Sequence, residues 1–463
     1  MTAENQHVYL AFDLGASSGR AILGRVGDDG SVELEEVHRF ANAPVTTDAG
    51  VFWDIQGLLE SMLEAMRIVA ARGVAPLAIG VDTWGVDFAL LDESGELLER
   101  PRSYREGRNA GMSRRIVERI GAERLLARTG SMHQDHASLC QLAAAAEHTP
   151  ELLARARRLL FIPDLLRYWL CGAAGTDCTF ASTSQMYDVL RREWATDILT
   201  ELSLPAEILP PVQTGPAVVG TLSEAVQGAT GLGAVPVVSG AGHDTGAAFG
   251  ICRGPDMPDP DDLVVISSGT WSILGVFVDA HLPGGALDPT RFGYEANPDG
   301  SLRIISNLTG GWLIEQCRNV WAGAGVDCSY EALISSAREA AGGAQASAVL
   351  DTGWEGFIHP PDMPAAIAEH CRATDQPVPT APGEFTQVIF ASLADSYARA
   401  IAELRAKTGR TLRKLYMIGG MSRNEYLNEL TGERAGVEVS AGPTEATAMG
   451  NIAVQVQAIE GRA

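Results

Sequence analysis

The sequence predicts an α/β protein built from two related domains, for three reasons. The chain has 463 residues, which at ~150 residues per domain is enough for two or three domains. Apolar runs with strand-like alternation are interleaved with segments of helical spacing. A strand, a Gly/Ser turn and a second strand open the chain and return about 255 residues later, as after an internal duplication. We expect the two domains at residues 1–245 and 246–463.

The first elements follow from local patterns. The apolar run 8–14, the turn Gly15–Gly19 and the alternating segment 20–26 predict a β-hairpin, and residues 32–40 predict a third strand. Apolar residues recur at spacings of three and four across Gln56–Arg72, which predicts an amphipathic helix. The chain therefore begins as a meander followed by a helix.

The middle of the chain continues the alternation. Residues 77–98 predict a buried strand, a polar turn and another strand. A helix is expected just past Pro163, ending at Gly172. The strand-like segment 235–242 leads into His-Asp-Thr-Gly, and the stretch 254–262, rich in proline and aspartate, is typical of a surface loop beside a domain junction.

The second half repeats the opening. Residues 263–278 again predict strand, Gly/Ser turn and strand, and Glu384–Lys407 a long amphipathic helix with Gly409 beyond its end. Residues 415–430 read as strand, glycine pair and helix, and 437–456 repeat that order.

Composition excludes several classes of function. The net charge of −23 disfavours nucleic acid and anionic membranes, so we expect small molecules or proteins as partners. The only lysines are Lys407 and Lys414, and neither lies in a Schiff-base, Walker or protein-kinase motif. Seven scattered cysteines without a C-x-x-C pair, and no apolar run of 18 residues, predict a soluble cytoplasmic protein with reduced thiols.

The turn Gly15–Gly19 allows several interpretations. It matches the G-x-S-x-G elbow of serine hydrolases, but the residues after Gly19 alternate like a strand, whereas an elbow needs a helix there. A Walker loop would need a lysine where Arg20 stands. A nest of backbone N–H groups for phosphate remains, with Asp13 holding Mg²⁺ through water. A plain hairpin with a solvated acid is the competing interpretation.

The second turn, Ser267–Thr270, offers the same hydroxyl and amide groups. The glycine pair Gly419–Gly420 would allow a purine or ribose to approach the backbone closely. Together, two such turns and a glycine pair predict a nucleotide held between the two domains.

Three further motifs each have a plainer explanation. Asp244 follows a predicted strand and suits a proton acceptor for phosphoryl transfer, but an aspartate there also caps a helix. Trp84 and Gly85, between Asp82 and Asp87, suit a sugar ring or a buried core. The segment 132–136 holds His133 and His136; two exposed or substrate-facing histidines are favoured over a metal pair, because no third ligand is evident.

Eight segments in this order resemble the FGGY family of carbohydrate kinases. They are AFDLGASSGR, GVDTWGVDFALLDESG, SYREGR, TDCTFASTSQMYD, GAGHDTGAAF, ISSGTWSILG, NLTGGWLIEQ and GGMSRNEYLNELT. The resemblance covers nearly the whole chain and is strongest to the branch that acts on L-rhamnulose. It implies two actin-like (ribonuclease H-like) α/β domains around an interdomain cleft, with ATP and Mg²⁺ as cofactors. The implied reaction phosphorylates the 1-hydroxyl of L-rhamnulose.

Residue by residue, the resemblance implies that Asp244 is the catalytic base. The implied sugar contacts are Trp84, Gly85, His243, Asp244, Thr245 and Asn307. The implied nucleotide contacts are Ala16, Ser17, Ser18, Gly19, Arg20, Thr270, Glu315 and Gly420, with Asp13 toward the metal. At Glu315 the family more often has glutamine, and a carboxylate there would repel phosphates unless it faced the ribose. The segment SMHQDHASLCQL also departs from the family pattern in a region that approaches the sugar.

Alternatives remain open at this point. Another ketose, such as L-fuculose, L-xylulose or ribulose, differs only by hydroxyl configuration or a methyl, and a methyl gives only ~1–3 kcal/mol of discrimination. A regulator that binds ATP and sugar without catalysis is a second possibility, and a serine hydrolase is a third. We expect a monomer or a homodimer.

Overall fold

A computed structural model describes residues 7–254, 256–283, 286–323, 327–342, 348–358 and 360–461. The chain forms two compact units. Unit 1 comprises residues 1–255, 278–304 and 446–463, and unit 2 comprises 256–277 and 305–445. The assignment of sugar and phosphate binding to 1–245, and of nucleotide binding to 246–463, stays a prediction.

The strands of the described residues are β1 (His7–Leu14), β2 (Ser18–Val26), β3 (Val32–Ala41), β4 (Pro44–Thr47), β5 (Gly50–Trp53), β6 (Ile79–Thr83), β7 (Phe88–Leu91), β8 (Arg158–Phe161), β9 (Thr176–Asp177), β10 (Tyr187–Asp188), β11 (Glu193–Trp194), β12 (Val212–Gln213), β13 (Ala217–Thr221), β14 (Pro236–Ser239), β15 (Leu263–Ser268), β16 (Trp271–Val278), β17 (Gly293–Ala296), β18 (Leu302–Thr309), β19 (Lys414–Ile418) and β20 (Glu438–Ala441).

The α-helices are α1 (Ile55–Ala71), α2 (Met112–Ile120), α3 (Ala122–Thr129), α4 (Ser138–His148), α5 (Pro150–Arg155), α6 (Ile162–Cys171), α7 (Cys178–Ala181), α8 (Thr196–Glu201), α9 (Glu224–Thr230), α10 (Asp244–Gly250), α11 (Trp312–Gly323), α12 (Tyr330–Ala341), α13 (Met363–Ala373), α14 (Pro382–Thr408), α15 (Glu425–Ala435) and α16 (Ala446–Glu460). Short 3₁₀ turns lie at Gly107–Asn109, Ser182–Ser184, Ala206–Ile208, Glu355–Phe357 and Gly420–Arg423.

The main sheet of unit 1 has the strand order β13-β14-β6-β1-β2-β3. Strands β1, β2 and β3 form the predicted antiparallel meander, while β1, β6 and β14 run parallel. Asp13 lies opposite Asp82 in the register of β1 and β6. Because parallel strands end at the same edge of a sheet, both carboxylates lie at one edge, and the chain after β14 leads from there to Asp244.

The central strand β1 is buried on both faces of this sheet, which explains why it is apolar except for His7 at its start and Asp13 near its end. Alternate residues Leu10 and Phe12 belong to the core cluster that includes α1. Tyr9 and Ala11, on the opposite face, belong to the cluster with Ile452 of α16. The helix α16 thus completes the core of unit 1, although it follows unit 2 in the chain.

The second sheet has the order β17-β18-β16-β15-β19-β20. The hairpin β15–β16 is antiparallel, and β15, β19 and β20 are parallel, so the hairpin-led plan of the first sheet recurs as predicted. The longest helix, α14, packs on α12 and α15. It covers the predicted Glu384–Lys407 and ends at Gly409, whose φ of 70° is left-handed.

The other predicted helices are also present, with small shifts at their ends. Helix α1 begins at Ile55 because the Asp54 side chain accepts a hydrogen bond from the Gly57 N–H. Helix α6 begins at Ile162, one residue before the proline, and Gly172 follows its last residue. No helix of the described residues is long and apolar enough to cross a membrane.

Candidate active site

The first phosphate-binding candidate is the tight turn between β1 and β2. Gly15 N donates to Ser18 O at 2.9 Å. Asn42 holds the turn from outside: its side-chain amide donates to Gly15 O at 2.8 Å and its backbone N–H to Ser17 O at 3.1 Å. The residues after the turn form strand β2, so the helix that a nucleophile elbow requires is not there.

Gly19 and Arg20, the residues of β2 beside this turn, each lie close to another side chain. A Cβ atom at Gly19 would lie 2.2 Å from the Phe40 ring, so any side chain there would displace that ring. Arg20 lies opposite Asp13 in the hairpin register, and its Nη2 is 2.5 Å from Asp13 Oδ2. The guanidinium therefore balances the Asp13 charge next to Ala16, Ser17 and Ser18.

Asp82 is a second carboxylate at the same edge of the sheet. It is fully buried, and its Oδ2 accepts a hydrogen bond of 2.6 Å from Asn451 Nδ2 of α16, while its Oδ1 has no hydrogen-bond partner. Burial, and next to it the negative charge of Asp13, raise the pKa of Asp82 well above its ordinary value. Sequence reasoning noted Asp82 only as a neighbour of Trp84 and assigned it no role.

Asp244 is the first residue of α10, directly after the end of β14 and a short turn. Its Oδ1 accepts hydrogen bonds from Thr245 N at 2.5 Å and Thr245 Oγ1 at 3.2 Å, and lies 3.3 Å from His243 Nε2. Its side chain is 30% exposed. Burial raises the pKa of Asp244, and the His243 charge is the largest opposing influence.

His243 stands between Asp244 and a second ion pair. Its Nδ1 is 3.8 Å from Glu295 Oε2, and Arg303 Nη2 is 2.5 Å from that same oxygen. A Cβ atom at Gly85 would lie 3.0 Å from His243 Nε2, so the backbone of Gly85 lies against the imidazole. Unit 1 thus brings the predicted residues Gly85, His243, Asp244 and Thr245 together.

The turn that carries His243 is held by two residues that sequence reasoning did not single out. Asp177 Oδ2 accepts a hydrogen bond from Gly242 N at 2.9 Å, and Thr179 Oγ1 accepts one from His243 N at 3.2 Å. Both lie in the segment TDCTFASTSQMYD, which carried the family resemblance but no assigned role. Arg167, fully buried, pairs with Asp177 from behind.

Trp84 lies in the core of unit 1. It is 4% exposed, and its ring centroid is 4.2 Å from that of Trp53. Both indole N–H groups donate to Asp87 Oδ2, at 2.9 Å from Trp84 and 2.6 Å from Trp53. These contacts favour the interpretation of Trp84 as a core residue, because an enclosed indole offers no open face to a sugar ring. A direct contact between Trp84 and the sugar stays a prediction.

The two histidines of the segment 132–136, His133 and His136, are half-buried and not exposed. Burial lowers the pKa of both His133 and His136, and His133 Nε2 is buried without a hydrogen-bond partner. No cluster of three or more His, Cys, Asp or Glu residues able to hold a metal ion occurs within the described ranges.

In unit 2, the turn after β15 carries the exposed residues Gly269 and Thr270. Gly269 O accepts a hydrogen bond from Gly311 N at 2.7 Å, and Thr270 O accepts one from Trp312 N at 3.2 Å. A Cβ atom at Gly310 would lie 2.6 Å from Gly269 O, so the start of α11 packs directly on this turn. Asn307 lies half-buried on β18, in unit 2, whereas the other predicted sugar contacts lie in unit 1.

The predicted adenosine residues also meet in unit 2. Glu315 of α11 accepts hydrogen bonds from Tyr330 OH at 2.6 Å and from Arg318 Nη1 at 2.8 Å. The same Tyr330 hydroxyl lies 3.6 Å from Met421 Sδ, and Met421 follows the exposed Gly420. The Arg318 guanidinium therefore offsets the negative charge of Glu315. This pairing reduces the repulsion between the Glu315 carboxylate and phosphate groups that the sequence predicted.

Comparisons with known proteins place the chain in a family. Residues 8–250 match the N-terminal domain, and residues 264–459 the C-terminal domain, of the FGGY family of carbohydrate kinases. The chain is 37% identical to a rhamnulokinase of Bacteroides thetaiotaomicron, over 97% of this chain and 90% of that protein. It is 34% identical to a rhamnulokinase of Oceanobacillus iheyensis, over 98% and 94% of the two chains.

Solved structures with low sequence identity share the fold. A gluconate kinase of Lactobacillus acidophilus superposes with a TM-score of 0.78 at 14% identity, covering 99% of this chain and 90% of that one. A ligand-bound xylulose kinase of the same organism gives the same TM-score and identity, covering 98% and 90%. The two-domain actin-like α/β fold is thereby confirmed, and the chain belongs to the FGGY family of carbohydrate kinases.

Proposed function

We propose that this carbohydrate kinase transfers the γ-phosphoryl group of ATP to the 1-hydroxyl of L-rhamnulose, forming L-rhamnulose 1-phosphate. The curated relatives named rhamnulokinase, at 32–37% identity over nearly the whole chain, support this substrate. The observation that carries the chemistry is Asp244, a carboxylate enclosed on several sides but still 30% exposed, beside His243 and Gly85.

Asp244 is the proposed general base. The three contacts described above all use Oδ1, so Oδ2 is the oxygen that would accept the proton of the sugar hydroxyl. A positioned base typically contributes ~10² to 10⁴-fold to the rate. Its raised pKa increases its basicity toward an alcohol, and Thr245 fixes its rotamer.

His243 and Gly85 form the proposed sugar-binding edge in unit 1. Thr179 accepts from the His243 backbone N–H, Glu295 Oε2 lies 3.8 Å from Nδ1, and Nε2 lies 3.3 Å from Asp244 Oδ1. Nε2 can therefore donate to a sugar oxygen or to Asp244. The Gly85 backbone brings peptide groups to the same place because it has no side chain.

ATP and Mg²⁺ fit the residues of the two turns. The turn 15–18 has two hydroxyls and Arg20 beside it, and Thr270 supplies another hydroxyl in unit 2. Asp13 and the unpartnered Oδ1 of Asp82 are the hard oxygen donors that Mg²⁺ prefers. When bound, the metal would offset phosphate charge. Since no larger cluster of ligands is found among the described residues, phosphate oxygens and water would complete its shell.

For the nucleotide base and ribose we propose Gly420 and Glu315; the Tyr330 hydroxyl donates to Glu315 and lies 3.6 Å from Sδ of Met421, the residue after Gly420. The exposed Gly420 leaves room for a flat ring. The Glu315 carboxylate, already paired with Arg318, suits a ribose hydroxyl better than a phosphate. We also propose a role for Asn307 in sugar binding, on the family resemblance alone.

The deciding experiment measures ADP release with Mg-ATP and a panel of L- and D-ketoses. L-Rhamnulose should have the highest specificity constant, above L-fuculose, L-xylulose and ribulose, and Asp244→Asn should lower turnover by at least ~10²-fold while nucleotide binding persists. Another preferred ketose would overturn the substrate assignment, and an active Asp244→Asn enzyme would remove Asp244 from the mechanism. Sugar binding without ADP release would favour the regulator.

We propose that the protein works in the cytoplasm as a monomer or a homodimer. Burial raises the pKa of the thiols of Cys140, Cys178 and Cys252 to about 12, which fits unreactive, reduced cysteines. Gel filtration with light scattering would distinguish the two oligomeric states.

A further inference from the structure

The loop that carries Gly85 contains a strained residue. Val86 has a φ of 70°, in the left-handed region that branched side chains avoid. The local sequence does not favour this conformation. Without tertiary contacts, a valine would populate extended backbone about tenfold or more over the left-handed region. Other parts of unit 1 must therefore hold Val86 in place.

Helix α4 supplies the groups that hold it. Val86 O accepts a hydrogen bond from Ser138 Oγ at 2.6 Å and from Gln141 Nε2 at 3.3 Å. Gln141 Nε2 also donates to Asp87 Oδ1 at 2.9 Å and to His136 O at 2.9 Å. Gln141 is 2% exposed and Asp87 is fully buried.

The chemistry of the Gln141 amide is unambiguous because its three neighbours are all acceptors. A carboxylate and two carbonyl oxygens can be satisfied only by the amide NH₂, whose two hydrogens are shared among the three acceptors, with Val86 O the most distant at 3.3 Å. One side chain thus connects the Gly85 loop to the segment 132–136, which lies within the stretch SMHQDHASLCQL that departs from the family pattern. Burial raises the pKa of Asp87 to about 6, so its carboxylate is ionised at neutral pH and binds these donors strongly.

We infer that Gln141 is a positioning residue for the sugar: it holds Val86 in the left-handed conformation so that the Gly85 backbone lies against His243, next to Asp244. Gln141 itself is buried below the loop and is not proposed to touch the ketose. The inference rests on the proposed function, because it takes the Gly85–His243–Asp244 edge as the sugar site.

The expected effect is selective for the sugar. In Gln141→Met, a side chain of similar length without the amide, Val86 should relax toward extended backbone. If the competent loop is populated about tenfold less, the apparent affinity for the ketose falls by the same factor. We expect the ketose KM to rise about tenfold, while the KM for Mg-ATP and kcat stay within about twofold.

A second substitution tests the cause. Glycine adopts φ near 70° without strain, so Val86→Gly in the Gln141→Met background should recover most of the lost ketose affinity. A purely structural role for Gln141 would not be rescued by a glycine that adds no contact. The matched control is Gln227→Met, which removes another glutamine–carbonyl bond of unit 1, to Leu222 O, outside the site; it should change neither KM.

Three results would overturn the inference: an unchanged ketose KM in Gln141→Met, equal changes in both KM values, or no recovery with Val86→Gly. If Gln141→Met fails to fold, Ser138→Ala removes the other donor to Val86 O and takes its place. Calorimetric measurement of ketose binding without ATP distinguishes a wrong role for Gln141 from a wrong proposed function. Wild-type protein that binds no ketose refutes the sugar site, whereas binding that Gln141→Met leaves unchanged refutes only the role of Gln141.

Discussion

Helix α16 approaches α10 so closely at Gly450 that a single added methyl group should disturb the site. A Cβ atom there would lie 1.8 Å from Ala247 O and 2.4 Å from Ala247 C, about 1.6 Å short of the 3.4 Å at which ordinary contact begins. Both atoms belong to the backbone of α10, so no side-chain rotation can relieve the clash. We therefore expect Gly450→Ala to push the two helices apart.

The size of the effect follows from two opposing contributions. Alanine is favoured over glycine within a helix by up to ~1 kcal/mol. Overpacking a close backbone contact costs typically ~1–3 kcal/mol, and this site belongs at the upper end because both helices must move. We expect a net loss of about 1–2 kcal/mol in the free energy of unfolding. Asp244 begins the helix that moves, and a displacement of about 1 Å can cost ~10²-fold in rate.

Urea unfolding and ketose-dependent ADP release would measure the two effects. Gly228→Ala is the matched control, because Gly228 also lies in a helix, α9, but a Cβ atom there meets nothing within 4 Å. That variant should be as active as the wild type and slightly more stable. A Gly450→Ala enzyme with wild-type turnover and an unchanged unfolding midpoint would refute the packing argument.

Three more outcomes are expected. Acidification should lower kcat/KM for the ketose at a higher pH than an exposed aspartate would require, because burial raises the pKa of Asp244 and only its ionised form accepts a proton; a pH–rate profile tests this. Trp84→Phe keeps a ring against the core but removes a donor to the buried Asp87, and should cost about 1.5–3 kcal/mol in urea unfolding. Asn451→Leu leaves the Asp82 carboxylate without its donor and should cost about 1–3 kcal/mol at neutral pH in the same assay.

Each of these has a contradicting result. A pH–rate profile that stays flat down to pH ~4, near the ordinary aspartate pKa, would mean that Asp244 does not act as the base. Unchanged unfolding midpoints would mean that water replaces the lost Trp84 donor or the lost Asn451 donor.

Local features were predictable from sequence because neighbouring residues determine them. The hairpins follow from alternation around a Gly/Ser turn, and the ends of α1 and α14 follow from Asp54 and Gly409. The Gly85–His243 contact was not readable in this way: it joins residues far apart in the chain, and only the family resemblance placed both near the sugar.

The remaining features depend on non-local contacts that no short pattern records. Trp84 could have stacked on a sugar or filled the core; the choice depends on Trp53 and on the buried Asp87 that accepts from both indoles. The support of His243 by Thr179 likewise needs the folded structure, since 64 residues separate the two. The role of Asn451 depends on α16 returning to unit 1.

That return of α16 has a consequence for how the chain matures on the ribosome. Ile452 and Val454 complete one face of the sheet that begins at β1, yet they are translated only after all of unit 2. Until then Tyr9 and Ala11 lack the partners that α16 supplies, although Val238 and Ala247 belong to the same cluster, so this face of the nascent N-terminal half stays open to chaperones and proteases. Unit 1 therefore cannot finish folding before synthesis of unit 2 is complete, and a ribosome stalled within unit 2 would present an unfinished unit 1 for degradation.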